Sequence, residues 1–232
     1  MAKQPRALRT RQDLIRSAAE VFERAGFADA SIAVISSAAG VSNGALHFHF
    51  RNKRALGEAV ELAAAQTLLH FTGRVPLRHP APLQLLVDTS QALAENLLSD
   101  PVLRAGFSLA SDATWQGQVN LWEEWQDWVQ LMLIVARERG MITSHVVIED
   151  AVLAITSIVA GFEVLSRIDT EWTSRRAVTA FWRLMLPQLA VAETCGTLTP
   201  EGSASPPVGL GNPFGSQDWD VGGGLRGGWG AP

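Results

Sequence analysis

The sequence predicts an all-α protein: a three-helix N-terminal domain followed by a larger helical C-terminal domain. Three observations carry that prediction. Apolar residues recur at three- and four-residue spacing through nine segments, and Ser, Asn and Gly stand where those segments begin and end. No segment alternates apolar and polar residues as a half-buried strand does.

Residues 8–25 read as the first helix, with Leu14, Ala18, Val21, Phe22 and Ala25 on one face and Gly26 as the stop. Ser31 is placed to cap a short helix over 32–39, which ends at Gly40, where the chain needs a left-handed turn. Ser42 caps a third helix near 43–49. Asn52 caps a longer one over 53–72, where Leu56, Val60, Ala63, Ala64, Thr67 and Leu68 share a side.

A loop containing Gly73, Pro76, Pro80 and Pro82 then separates this part from the rest. Further helices are predicted at about 83–98, 101–111, 117–139, 148–167 and 174–192; Asp100 before Pro101 is a helix start, and Gly140 closes the tryptophan-bearing helix. The domain boundaries expected are 1–52, 53–195 (with 53–72 as connecting helix) and 196–232. That last segment is rich in Gly, Pro and Ser, and is expected to be disordered, with Trp219 and Trp229 as its only large anchors.

Composition narrows the classes. With 232 residues and 47% hydrophobic content the chain can bury a sizeable core, and a single Cys195 excludes an intramolecular disulfide framework. The basic N-terminus lacks an apolar segment after it, and the longest apolar run, Ala151 to Leu165, is broken by Glu163 and falls short of the roughly 20 residues that span a bilayer. A cytoplasmic protein is expected. Net charge is −4, but residues 1–54 carry two lysines and seven arginines against four carboxylates, a net of +5 that leaves −9 for the remainder. A basic unit for a polyanion beside an acidic body is the physical reading.

Three helices with a tight Gly-Val turn between the second and third form a helix-turn-helix, which lays its last short helix in a DNA major groove. Gly44, without a side chain, lets that helix approach the phosphate backbone, and Ser42 caps it or contacts phosphate. Asn43 and His47, four apart, share a face that reaches base edges; Ala45 can touch a thymine methyl. Lys53, with Arg51 and Arg54, is placed to neutralise phosphates, while Arg6, Arg9 and Arg11 serve the backbone or the minor groove. Ser31 and Phe48 complete the expected DNA-contacting set. A His47–phosphate contact would strengthen on protonation. His47 and His49 stand two apart and point to different faces, and His70, His79 and His145 are scattered, so no metal site is expected.

The run SIAVISSAAGVSNGALHFHFRNKRAL over residues 31–56 resembles the signature of the TetR family. Ser31, Ile35, Ala39, Gly40, Val41, Ser42, Gly44, His49, Phe50, Lys53 and Leu56 fall on family positions or close substitutes. Two departures stand out: the family usually has tyrosine at His47 and commonly lysine at Asn43. Further along, PVLRAGFSLA (101–110) and WEEWQDW (122–128) resemble the γ-butyrolactone receptor branch. That resemblance implies that Trp125 packs on the lactone signal. Branch members with a lactone site tend to carry threonine where this chain has Gly161, so the resemblance leaves two readings open: a true lactone receptor, or a pseudo-receptor answering to an antibiotic or pathway intermediate.

Read from the residues alone, Trp122, Trp125, Val129, Met132 and Ala136 form one stripe, and Trp115, Trp122, Trp125 and Trp128 crowd fourteen positions. Indoles suit an amphipathic ligand in an apolar cavity. Leu98, Val102, Leu109, Met132 and Ile158 are the expected co-lining residues. The apolar faces of the last two long helices are Val152, Ile155, Val159 and Phe162, then Val178, Phe181, Trp182 and Met185. They are expected to include the dimer interface, as the family implies. A dimer would set two reading helices roughly 34–36 Å apart on a near-palindromic operator. The expected function is a repressor released by a small apolar molecule, with no cofactor. The alternative is a helix-turn-helix regulator controlled by a protein partner. No nucleophile–base pair, paired carboxylates or phosphate loop points to an enzyme.

Overall fold

The computed structural model describes the backbone of residues 3–73 and 79–203, and side chains from Arg6 onward. The described chain is helical throughout: α1 (Lys3–Asp29), α2 (Ile32–Ala38), α3 (Asn43–His49), α4 (Lys53–Thr72), α5 (Pro82–Ser99), α6 (Pro101–Ala110), α7 (Leu121–Glu138), α8 (Ile148–Ser166), a 3₁₀ turn (Thr170–Thr173), α9 (Arg175–Leu189) and α10 (Ala192–Cys195). Among the described residues the only β pairing is an isolated antiparallel bridge between Ile142 and Ala190.

The caps do what their side chains allow. Ser31, Ser42 and Asn52 accept backbone N–H groups of Ala33, Ala45 and Ala55 at 3.3, 3.1 and 2.8 Å, which satisfies otherwise orphaned donors at the starts of α2, α3 and α4. Asp100 does the same for Val102 and Leu103 on α6. Gly26 interrupts α1 with φ 74°, a left-handed conformation that a side chain would resist. Just beyond that break, the Phe27 N–H donates to Asp112 Oδ2 at 2.9 Å, so the loop after α6 holds the end of α1.

Helix α6 lies between α1 and α4 and is the main joint between the N-terminal helices and the body. It approaches α4 so closely that a Cβ at Gly106 would stand 2.2 Å from the Ala64 Cβ. Arg104 on the same helix pairs with Glu23 at 2.7 Å and donates to the Leu97 and Leu98 carbonyls, tying α1, α5 and α6 together. In the body, α7 packs on α8 and α5, and α9 on α5.

Burial corrects the expected dimer face. Val152, Ile155, Val159, Phe162, Val178 and Trp182 are buried within the protomer, and Phe181 and Met185 pack partly buried against the same core. A broad apolar helix face marks the side turned to the protomer's own interior. The outer side carries a different set: Leu153 and Val164 on α8, Ile168 just past it (84% exposed) and Leu184 on α9 (77% exposed).

The expected disordered tail is also corrected at its start. Residues 196–203 run along α5 and α9 and are fastened there. Gln84 exchanges two hydrogen bonds with Thr199, and Gln91 donates to the Pro200 carbonyl. Asp88 accepts from both the amide and the hydroxyl of Ser203 at 2.7 and 2.8 Å, and Arg183 pairs with Glu201. Side-chain partners on two helices order this segment, together with Leu198, which packs partly buried against the core. Residues 204–232, with Trp219 and Trp229, lie outside the described residues, as does Pro76.

Candidate DNA-reading head and effector site

Helices α2 and α3 are too short to hold together alone, and three kinds of contact fix them. Ile35, Leu46 and Phe50 are buried in the head's core with Leu14 and Phe22. The Ser36 hydroxyl donates to Asn43 Oδ1 across the turn. Lys53 closes the corner from the far side, its ammonium donating to the carbonyls of Phe27, Ala28 and Ala30 at 2.8, 2.7 and 3.0 Å while lying 4.8 Å from the Phe27 ring centroid. Three donors on three carbonyls exhaust the ammonium. The phosphate contact expected of Lys53 is therefore replaced by a structural role, as the tie between α4 and the end of α1. Arg54 is likewise engaged, with Glu58 and the Gln116 carbonyl.

What the core leaves outside is one face of α3. Ser42, Asn43, Gly44, His47 and Phe48 are exposed and Ala45 half-buried, with Phe48 83% exposed. The one ring contact of Phe48 among the described residues is edge-on with the neighbouring His49 at 5.2 Å, and the rest of the ring faces outward. Arg6 and Arg9 are exposed on α1. Arg11 is half-buried and lies 5.2 Å from the Phe50 ring centroid, where burial lowers its pKa from the ordinary value. Ser31 is spent on capping, although it remains exposed.

In the body, the four crowded indoles divide by their N–H groups. Trp115 donates to Glu61 at 2.8 Å, Trp122 to the Ser111 hydroxyl at 3.0 Å and Trp128 to the Thr72 carbonyl at 3.0 Å. Trp125, fully buried and stacked on Trp128 at 5.3 Å, donates to nothing among the described residues. A buried indole N–H without a partner is costly, and a ligand acceptor would satisfy it.

The expected lining set does not form one wall. Val102, Leu109 and Met132 are buried, Trp122 and Ile158 are half-buried, and Leu98 faces outward at 42% exposure. Leu98 is corrected on that ground: its neighbour Leu97 turns inward instead. Leu97 borders a narrow apolar cavity between α5, α8 and α9, of about 10 Å³, with Ala94, Phe162, Val178 and Trp182. Trp182 also has an indole N–H with no partner among the described residues. Neither Leu97 nor Trp182 was expected here. Both belong to apolar stripes that read equally well as plain core.

Comparison with known proteins places this geometry. Residues 14–60 match the family described as bacterial regulatory proteins, tetR family. Over 206 residues the chain is 32% identical to the A-factor receptor protein of Streptomyces griseus, covering 87% of this chain and 71% of that one. The chain belongs to the TetR family. Its fold is that of a crystallised ArpA-like γ-butyrolactone receptor, with a TM-score of 0.71 at 24% identity over 83% of this chain and 94% of that one. It is also that of the TetR-family protein CprB of S. coelicolor, with a TM-score of 0.71 at 21% identity over 82% and 93%.

Proposed function

We propose that this TetR-family chain is a dimeric transcriptional repressor that reads a near-palindromic operator and is released by a small, mostly apolar effector. The observation that carries the DNA-binding half is the bare outer face of α3, where Asn43, Gly44, His47 and Phe48 stand exposed on a head otherwise closed by its own core. One structural relative, CprB, is described in complex with its operator. Asn43 accepts from Ser36 and keeps its amide N–H groups for an acceptor on a base edge. His47 and the backbone at Gly44 serve phosphates, and Phe48 meets sugar or a thymine methyl, with Ser42 and Ala45 beside them. Arg6, Arg9 and Arg11 neutralise the flanking backbone. Lys53 acts from behind by holding the head together.

The effector reading rests on the unpartnered N–H of Trp125. A lactone or antibiotic-like molecule has the needed carbonyl acceptor and an apolar body. Trp122, Val102, Leu109, Met132 and Ile158 are its proposed neighbours. Entry would require the core around Trp125 to open, which is how binding would reach the head: Trp128 is bonded to the end of α4 and Trp115 to its middle. A coupling of about 1–3 kcal/mol would lower operator affinity roughly 5–150-fold.

The second copy of the chain is proposed to cover Leu153, Val164, Ile168 and Leu184. These are exposed large apolar side chains on α8, just past its end and on α9, taken here as one outer stripe, and Gly161 on α8 has open space where a side chain would stand. We place the protein in the cytoplasm with its operator. Among the described residues no helix is long and apolar enough to cross a membrane.

The test is selection of duplexes from a random pool, followed by screening for molecules that elute them. Salt-sensitive, sequence-preferring binding lost in Phe48→Ala supports the reading. Its absence removes the DNA-binding assignment. A wild-type protein that binds DNA but gains no thermal stability from any γ-butyrolactone or apolar extract would instead favour control by a protein partner.

A further inference from the structure

A second, polar cleft lies where the head meets the body. It has a volume of about 500 Å³ and four arginines on its walls: Arg16 and Arg24 from α1, Arg104 from α6, and Arg167 from the end of α8. Glu20, Glu23 and Ser99 also line it, so the walls carry four positive and two negative charges.

The ion pairs divide these arginines into two kinds. Arg104 is committed to Glu23 and two carbonyls, and Arg167 to the buried Glu163 beneath the cleft. Arg16 is only loosely paired with Glu20, at 3.8 Å with both side chains largely exposed. Arg24 bonds a single carbonyl, that of Glu20, through Nε. Each guanidinium offers five donors in a planar fork, so Arg16 and Arg24 hold most of theirs in reserve. Two of the arginines are thus neutralised by their own carboxylates, and the positive charge left for a ligand comes from Arg16 and Arg24.

The geometry points to a binding site for a phosphorylated small molecule in this cleft. Planar guanidinium forks match phosphate oxygens two at a time, and a ligand with several charges is needed to outweigh the two glutamates. Those glutamates and the Ser99 hydroxyl accept from hydroxyl or amino groups on the rest of the molecule. The volume falls in the range of small-molecule sites. Because the walls come from α1 on one side and from α6 and the end of α8 on the other, a bound polyanion would brace the Glu23–Arg104 joint between the head and the body. It would thereby couple a charged metabolite to the same head that the apolar effector controls.

The experiment is calorimetric titration of the full chain with inorganic tripolyphosphate, then with ATP and GTP, at physiological salt and without DNA. Saturable binding is expected, at least tenfold weaker in an Arg16→Gln/Arg24→Gln variant and unchanged in Arg6→Gln/Arg9→Gln. Both replaced pairs are exposed, and unaltered melting curves would show that each variant is folded. Tighter binding of a nucleotide than of tripolyphosphate would identify a nucleoside phosphate; equal binding would identify the phosphates alone. No saturable heat, or full affinity in Arg16→Gln/Arg24→Gln, overturns the site. Binding lost only in Arg6→Gln/Arg9→Gln also overturns it and moves the anion to the DNA-facing surface. Since no operator is present, failure here is separate from failure of DNA binding.

Discussion

Glu61, buried in α4 at 4% exposure, accepts the indole N–H of Trp115 at 2.8 Å and, through its other oxygen, the Gln118 amide at 2.9 Å. One carboxylate thus fixes the loop that leads from α6 into the tryptophan helix. Trp115 in turn lies edge-on to Phe27 at 4.6 Å, beside the Gly26 break in α1. The link runs from α7 through this loop to the base of the reading head.

Glu61→Ala should cost about 1–3 kcal/mol, because the buried Trp115 indole N–H loses its acceptor while the Gln118 amide, on an exposed residue, can turn to water. Glu61→Gln keeps an acceptor and should cost less than half as much. Urea unfolding midpoints at constant slope measure both; an unchanged midpoint for Glu61→Ala would mean that water replaces the carboxylate.

Lys53→Met separates a structural tie from a phosphate contact. It should lower stability by about 1.5–3 kcal/mol, the usual range for bonds to a charged group. The slope of operator affinity against salt should stay unchanged. A slope reduced by about one, with stability intact, would return Lys53 to the DNA.

Leu184→Glu with Ile168→Glu places charges on the outer stripe and should raise the dimer dissociation constant by on the order of 100-fold, or ~2.7 kcal/mol. Sedimentation equilibrium reads this directly, and the monomer should remain folded. Trp182→Ala removes a fully buried indole and should instead destabilise the protomer by about 3–5 kcal/mol.

Hydrogen bonds, first from the Thr114 hydroxyl and then from the Phe27 and Thr114 amides, hold the Asp112 carboxyl below its ordinary pKa against a smaller opposing push from burial. A depressed folded-state value means that its contribution is complete above the usual aspartate range and fades as pH falls through the folded value. Protection of the Phe27 amide, measured against its intrinsic exchange rate at each pH, should therefore fall on acidification below about pH 4. In Asp112→Asn that pH dependence should vanish; an equal response in both would clear Asp112 of the effect.

Much of this was legible in the sequence because it is local. Ser31, Ser42 and Asn52 act on amides two or three residues away, and the Gly40–Ser42 turn is set by its own residues. The exposed face of α3 follows from helical spacing once Leu46 is assigned to the core. The errors are non-local. Periodicity finds the apolar side of α8 but not what it faces: Val152, Ile155 and Val159 turn into the protomer, while Leu153, Val164 and Ile168 are exposed. Lys53 reads as a free cation until the carbonyls of residues 27–30 are brought to it. The same holds for residues 199–203: Gly, Pro and Ser signal disorder until Gln84, Asp88 and Gln91 are aligned against them.

At Gly106 the two helices that meet in the joint are separated by less than one methyl group. The angle of the reading head is thus set by a missing atom rather than by an attraction. Any residue with a side chain there would act as a built-in wedge, prying α6 from α4. An engineer seeking a permanently released regulator could leave the residues around Trp125 and the DNA-facing helix untouched and add a single carbon at this spot.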